Sequence, residues 1–248
     1  MLLRKITPGS TSRLTTVDHT ETYGRHILDK ISRNNSFNKC LDIGCGAGTD
    51  LSTVKRHNPD AELFGTDFGD WNLEKLKTLG ISLNTVDIER EQLPFDDSSI
   101  DLIIANQVLE HTKEVFWINH EIFRCLRIGG LFFFGVPNIL SLHNRILGCL
   151  GEHPTQHKLY SAHVRPFSKK DVYRFYKIIA SDFCEIIGFW GSQFYPFPRV
   201  ISRPLSLFFP SLSFSIFFLL KKTNQMEKQF ISYPERASLE TNFFAGPS

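Results

Sequence analysis

The sequence predicts an α/β protein built on a doubly wound parallel sheet, and three observations support this fold class. Gly44, Gly46 and Gly48 directly follow a short apolar strand, as in tight strand-to-helix turns that admit a ligand. Strand and helix patterns then alternate four times in about a hundred residues. The run from Leu131 to Val136 is apolar throughout, which is typical of a strand covered on both faces.

The remaining elements follow from hydrophobic spacing and helix caps. A helix is expected over residues 115–126, where apolar residues recur at helical spacing. A second helix is expected up to residue 180, because Ser168 and Asp171 form a capping box at its start. The predicted strands are residues 40–43, 61–66, 81–86, 102–105, 131–136 and 184–190.

Composition excludes some classes of function. The chain has 248 residues, of which 42% are hydrophobic, enough for one sizeable domain with additions. A net charge of +2 without a basic stripe argues against a nucleic-acid partner. The five cysteines show no pairing pattern and the first residues lack the apolar stretch of a signal peptide, so a cytoplasmic location is expected.

Asp42, two residues before the first glycine, bears on which ligand the turn binds. A carboxylate there would repel a pyrophosphate but suits a ligand that carries an ammonium group. The main alternative is a nicotinamide or flavin protein, whose fingerprint is G-x-G-x-x-G. In this chain the third glycine, Gly48, comes one residue earlier than that pattern requires, and Thr49 follows it.

Asp67 ends the second predicted strand and is a candidate ligand for a ribose. It lies nineteen residues after Gly48, close to the separation of about 20 residues expected for an acid that binds ribose hydroxyls. The alternative is that Asp67 only caps the next helix. Phe68, which follows, either packs on an adenine ring or belongs to the core.

The run from Asp42 to Gly48, with its downstream context, resembles motif I of the class I S-adenosylmethionine (SAM) dependent methyltransferases. The similarity is to the type 11-like enzymes that modify small molecules and glycans. Residues 91–101, EQLPFDDSSID, match the family phrase "LPF-D-ss-fD", and the strand after them ends in NQVLEH at 106–111. The resemblance is strong from Phe37 to Asn138 and weaker beyond.

This resemblance implies a seven-stranded, mostly parallel, Rossmann-like sheet with helices on both faces and an antiparallel last strand, here residues 214–220. It also implies SAM as cofactor, with Asp87 at the adenine amino group, Ile88 beside the ring, and the end of strand four near the methionine part. The cofactor-binding residues that it implies are Asp42, Gly44, Cys45, Gly46, Gly48, Asp67, Phe68, Asp87, Ile88, Asn106 and Gln107.

The chain is expected to divide into three parts. Residues 1–36 form a helical extension, in which Tyr23 either covers the SAM site as a lid residue or packs at the domain edge. Residues 37–222 form the methyltransferase domain. Residues 223–248 are polar and are expected to form a flexible tail.

The segment 138–166 inside the domain is expected to select the methyl acceptor, because a connection of this length is often a functional loop. The phrase from His163 to Ser168 resembles one found after strand five in methyltransferases of glycans and lipid-linked sugars. His163 and His111 are therefore the catalytic candidates, one of them as a general base. Arg165 and His143 are the candidates for acceptor binding.

Two neighbouring histidines raise the question of a metal. His153 and His157 have the i, i+4 spacing of a metal-binding pair, but Pro154 lies between them and no further ligands converge in the sequence. The sequence therefore predicts that no metal site is present.

The predicted function is transfer of a methyl group from SAM to an oxygen of a glycan, lipid-linked sugar or similar small molecule. Two alternatives stay open: carbon methylation, as in quinone biosynthesis, and a non-catalytic SAM-binding partner subunit. Residues 205–220 are rich in phenylalanine and leucine but too short and interrupted to span a bilayer. Their exposed part, about Leu205 to Phe209, is a candidate for peripheral membrane contact. The sequence leaves the oligomeric state open.

Overall fold

A seven-stranded sheet forms the centre of the protein in the computed structural model, which describes residues 19–240 and 242–247. The strand order is β3-β2-β1-β4-β5-β7-β6; strands β1 to β5 are parallel, and β7 runs antiparallel between β5 and β6. The predicted fold class is confirmed. The strands are β1 (Lys39–Ile43), β2 (Glu62–Asp67), β3 (Ile81–Thr85), β4 (Ile100–Asn106), β5 (Leu126–Pro137), β6 (Cys184–Ser192) and β7 (Ser215–Lys222).

Helices cover both faces of the sheet. They are α1 (Arg25–Arg33), α2 (Thr49–Lys55), α3 (Leu73–Thr78), α4 (Val115–Cys125), α5 (Leu142–Cys149), α6 (Lys169–Ala180), α7 (Arg199–Phe208) and α8 (Gln229–Arg236). One core cluster joins Leu51 of α2 and Leu76 of α3 to Phe133 of β5, and the other joins Phe123 of α4 to Phe132. Because Phe132 and Phe133 face opposite layers, the strand that carries them is apolar without alternation.

The last residue of β7, Lys222, is a buried cation with a structural role. Its ammonium group donates to the carbonyl oxygens of Phe123 (2.6 Å) and Leu126 (2.7 Å), where α4 ends and β5 begins. A cation at a helix C-terminus is favourable because it satisfies carbonyl groups that lack helical partners. Lys222 thereby fixes the junction between α4 and the central strand β5.

The segment after β7 differs from the expected flexible tail. Residues 229–236 form α8, whose Phe230 is fully buried against Phe123 and Phe183. The backbone N–H of Phe244 donates to the Glu114 carboxylate at 2.7 Å. The polar residues that suggested a tail lie on the outer side, while a few aromatic side chains attach the segment to the core.

The segment 138–166 carries regular structure and its own hydrogen bonds. It contains α5 and a 3₁₀ helix, Thr155–His157. The side-chain amide of Asn144 donates to the carbonyl of Asn138 (3.0 Å) and to the side chain of Gln156 (3.2 Å). The predicted helix after Ser168 is present as α6, with the Ser168 hydroxyl accepting from the Asp171 N–H.

Within the part of the chain that the structure describes, none of the helices has the length and apolar content needed to cross a lipid bilayer. The apolar residues 205–220 divide between the end of α7, a short 3₁₀ helix (Pro210–Leu212) and β7. The expected antiparallel strand over 214–220 is confirmed as β7, which pairs with β5.

Candidate active site

The glycine turn between β1 and α2 is built from three residues with positive φ. Gly44, Gly46 and Gly48 have φ values of 67°, 49° and 73°, a region that glycine adopts without strain. A Cβ on Gly44 would lie 2.6 Å from Val108, and one on Gly48 would meet side chains of the core. A Cβ on Gly46 would meet no atom of the described residues within 4 Å. Packing therefore explains two of the glycines, whereas Gly46 borders open space.

Asp67, the last residue of β2, is held against this turn. One carboxylate oxygen accepts from the Gly46 N–H (2.9 Å) and the other from the Phe68 N–H (2.8 Å). Each carboxylate oxygen has capacity for a second hydrogen bond. The carboxylate is thus oriented at the border of the open space and keeps acceptors for two further donors, as two adjacent ribose hydroxyls would supply.

The ends of β2 and β3 lie side by side and carry the residues expected at the adenine. Asp67 pairs in register with Thr85, and the N–H of Val86 donates to the Asp67 carbonyl at 3.0 Å. Phe68 is 73% exposed, so its ring belongs to the surface and not to the core. Asp87 accepts from the Glu89 N–H at 3.0 Å, and Ile88 is partly buried against the core.

The end of β4 presents buried polar atoms without partners. Asn106 donates to the carboxylate of Asp50 (2.8 Å) and to the carbonyl of Tyr23 (2.9 Å), but its side-chain oxygen has no hydrogen-bond partner among the described residues. Gln107 has a φ of 60°, and its side-chain nitrogen is likewise buried and unpaired within that range. Such groups each cost about 1–3 kcal/mol when left unpaired, so they indicate a polar ligand.

A second set of charges behind the turn was not foreseen from the sequence. Arg25 of α1 pairs with Asp50 of α2 at 2.7 Å and stacks over the ring of Tyr23, 4.5 Å from its centroid. Asp42 lies buried in β1, where burial and then the negative charge of Asp50 raise its pKa well above the usual range. The N-terminal extension is therefore joined to the site through α1 and Tyr23.

Cys45 lies inside the turn without an ionisable role. Its thiol is buried, and burial followed by the charges of Asp42 and Asp67 raises its pKa to about 12. Its N–H, like that of Gly44, donates to the Thr66 carbonyl, at 3.0 Å and 2.8 Å respectively. The backbone of Cys45 therefore shapes the turn while the side chain stays neutral at pH 7.

The two predicted catalytic histidines lie together on the acceptor side. The ring centroids of His111 and His163 are 4.6 Å apart, although the two residues lie 52 positions apart in the chain. The carbonyl of Ala162 lies 3.2 Å from His111 Nδ1. Burial, followed by the charges of His111 and His157, lowers the pKa of His163 to about 4. His163 is therefore neutral at pH 7, and its buried Nδ1 has no partner in the described ranges.

Glu110, which the sequence did not single out, lies beside these histidines. It is 1% exposed, and burial raises the pKa of its carboxyl group to about 8. Its carbonyl oxygen accepts from the N–H groups of Val164 (2.9 Å) and Arg165 (3.1 Å), which attaches the loop to the end of β4. The only sequence signal was its place in the NQVLEH phrase.

The two predicted acceptor residues make different contacts. His143 contacts the Thr155 hydroxyl at 2.9 Å, two residues before His157, whose ring is 5.9 Å from that of His163. Arg165 instead donates to the Lys113 carbonyl at 2.6 Å and lines an adjacent, largely apolar cavity of about 180 Å³. His143 therefore contacts the short helix that carries His157, whereas Arg165 is engaged by the Lys113 carbonyl.

The sheet order, the turn open at Gly46 and the acid at the end of β2 together define a Rossmann-like protein of the class I methyltransferase type. Comparison with known proteins agrees. Residues 41–134 match a protein family described as a methyltransferase domain. Within this segment, which contains the glycine turn and Asp67, the chain carries a methyltransferase domain, for which SAM is the cofactor.

Individual relatives match mainly over this region. An uncharacterised 37.1 kDa protein in transposon TN4556 of Streptomyces fradiae is 32% identical over 134 residues, which are 52% of this chain and 39% of that protein. The sterol 24-C-methyltransferase erg6 of Aspergillus fumigatus is 30% identical over 100 residues, 38% of this chain and 26% of that protein. The chain thus spans less than half the length of these two relatives.

Solved structures agree on the fold over a longer range. The N-methyltransferase NodS from Bradyrhizobium japonicum, in complex with S-adenosylhomocysteine, superposes with a TM-score of 0.55 over 81% of this chain and 86% of NodS. The sequence identity is 15%, so this likeness concerns the fold alone.

Proposed function

We propose that the chain transfers a methyl group from SAM to an oxygen of a small molecule, such as a glycan or a lipid-linked sugar. The observation that carries this proposal is the open space at Gly46, bordered by the Asp67 carboxylate. Asn106 and Gln107, at the end of β4, add buried side-chain atoms without partners among the described residues. His111, whose ring contacts that of His163, follows the end of β4 by five residues.

The residues present fit SAM. Asp67 would accept from the ribose hydroxyls, and Phe68 and Ile88 would flank the adenine. The side chains of Asn106 and Gln107 offer one acceptor and one donor, which suits the ammonium and carboxylate of the methionine part. When bound, SAM supplies a methyl group on a sulfonium that leaves as a neutral thioether, so the protein mainly aligns the nucleophile and excludes water.

The acceptor oxygen would lose its proton as it gains the methyl group. The oxygen–carbon bond forms while the carbon–sulfur bond breaks, and the electron pair stays on sulfur. The neutral imidazole of His163 is available to take up the proton, and the ring of His111 lies beside it. Carbon methylation, as named for the sterol relative, and a non-catalytic SAM-binding subunit are the alternative functions.

Binding and turnover measurements test this proposal separately. Isothermal titration calorimetry is expected to give one site for SAM and for S-adenosylhomocysteine and no heat with NADH. Incubation with SAM and panels of sugars, lipid-linked sugars or demethylated quinones is then expected to release S-adenosylhomocysteine with the sugar acceptors. Binding of NADH instead of SAM would contradict the class of cofactor. Turnover only with quinones would mean that the protein methylates carbon and not oxygen. SAM binding without any turnover would favour the non-catalytic partner subunit.

The exposed apolar residues of helix α7 favour a peripheral membrane contact for an enzyme of this proposed function. Its residues Val200, Leu207 and Phe208 are exposed, as is the following Phe209. Arg199 and Arg203 both pair with the buried Glu21, at 3.1 Å and 3.0 Å. These ion pairs hold the helix against the protein and largely engage its positive charges there. An interfacial helix bound mainly by apolar contact would suit an acceptor carried on a lipid.

In flotation with phosphatidylcholine vesicles, we expect the protein to move with the lipid. The double variant Leu207→Asp/Phe208→Asp is expected to lose about nine-tenths of this binding, because charged side chains replace apolar contact area. Ile178→Asp, on the exposed side of α6, is the matched control and should float like the unmodified chain. Flotation that is unchanged by the double variant, or absent from the start, would exclude α7 as a membrane contact.

A further inference from the structure

Three metal-ligating side chains converge at the end of β4. Glu110 and His111 belong to the short 3₁₀ helix Leu109–His111, and His163 comes from the long segment after β5. One ligand atom from each lies within 4.8 Å of the others. The Glu110 carboxylate is 3.9 Å from His111 Nε2, and the two imidazole rings meet edge to face. Two ligands of one ion at bond lengths of about 2 Å lie about 3–4 Å apart, so small rotations of these side chains bring all three atoms to one ion.

The cluster contains buried polar atoms without hydrogen-bond partners among the described residues, which points to a ligand. Both carboxylate oxygens of Glu110 are buried and make no hydrogen bond with any residue in 19–240 or 242–247. The Nδ1 atom of His163 is buried and unpaired over the same ranges. A buried carboxylate without donors is costly, and proteins ordinarily pair such a group or use it to bind a metal. His111 is about half exposed, which leaves the cluster an open side.

We propose that Glu110, His111 and His163 bind a divalent transition metal ion. Two imidazoles and one carboxylate with open positions form a ligand set that suits zinc, manganese or iron better than magnesium, because imidazole is a poor ligand for magnesium. The sequence predicted no metal site at all, on the basis of the pair His153 and His157, and the present set is a different one. It joins residues more than fifty positions apart, so spacing within one segment does not reveal it.

The ion would act on the methyl acceptor. This role rests on the proposed function, whereas the binding of the ion is independent of it. The cluster follows β4 by a few residues, on the edge where Val108 contacts Gly44 of the cofactor turn. An ion there would hold an acceptor hydroxyl through its open positions and make that hydroxyl a better nucleophile. When the ion is bound, the imidazole nitrogens are engaged as ligands, so these histidines would not act as the base and the hydroxyl proton would pass to water.

Metal titration tests the site without reference to turnover. After treatment with a chelator and dialysis, isothermal titration calorimetry with Zn²⁺ and Mn²⁺ is expected to give one site per chain, with far weaker binding of Mg²⁺. Co²⁺ should give visible absorption bands of a bound ion. Glu110→Gln and His111→Ala are each expected to weaken Zn²⁺ binding by at least about 100-fold, since each removes a ligand.

His153→Ala is the matched control, because His153 is an exposed histidine of the same segment outside the cluster. It should bind Zn²⁺ like the unmodified chain. Zn²⁺ binding that is absent, or that survives Glu110→Gln and His111→Ala unchanged, would overturn the metal site. SAM titrations on the same samples separate the outcomes: SAM binding without metal binding leaves the proposed function intact, and normal SAM binding by the variants shows that they are folded.

Discussion

Replacing Gly46 with alanine is expected to weaken SAM binding by about 50-fold while the protein stays folded. The new methyl group would project into the space at the cofactor turn, where no atom of residues 19–240 or 242–247 lies within 4 Å of it. A bound nucleoside would have to move away from that methyl group. A 50-fold weaker affinity corresponds to a loss of about 2.3 kcal/mol in binding free energy. The positive φ of Gly46 adds a strain of about 1–2 kcal/mol to the fold itself.

Gly151→Ala separates these two effects. Gly151 has a φ of 77°, and an added Cβ would also meet nothing within 4 Å, but it lies in the turn after α5. The unfolding temperature without ligand is expected to fall by a similar amount in both variants. Calorimetry should show weakened SAM binding only in Gly46→Ala. Equal SAM affinities in the two variants would mean that the open space at Gly46 does not receive the cofactor.

Elements whose signals are local were predictable from the sequence. The glycine turn, the acid at the end of β2 and the apolar fifth strand each follow from a few adjacent residues, and the structure contains all three. The antiparallel β7 was also foreseen, although its apolar run continued from α7 without a break. Here the resemblance to a known family supplied what periodicity could not, because a short apolar run is compatible with a strand or a helix.

The parts that were missed depend on contacts between distant segments. Asp50 gains its role only when α1 brings Arg25 to it, and Glu110 only when the loop brings His163. Helix α8 contains Pro234 and few apolar residues, so its attachment rests on Phe230 entering a gap between α4 and α6. Spacing along the chain carries no information on such pairings, which are selected by packing.

Asp67→Ala is expected to weaken SAM binding by at least about 100-fold. The substitution removes the acceptors for two ribose hydroxyls, and hydrogen bonds to a charged group contribute about 1.5–3 kcal/mol each. It also releases the N–H groups of Gly46 and Phe68, so the turn itself would loosen. Asp67→Asn keeps one acceptor oxygen, so its affinity for SAM should lie between those of the unmodified chain and of Asp67→Ala. Both variants are measured by calorimetry with SAM and S-adenosylhomocysteine.

Asp101→Asn is the control that distinguishes ribose binding from backbone support. Asp101 likewise accepts from two backbone N–H groups, those of Asn38 (2.6 Å) and Lys39 (2.9 Å), but it lies where β1 and β4 begin, at the opposite edge of the sheet. Its replacement should lower the unfolding temperature and leave SAM affinity unchanged. If Asp67→Ala behaved in the same way, the acid at the end of β2 would serve only the fold.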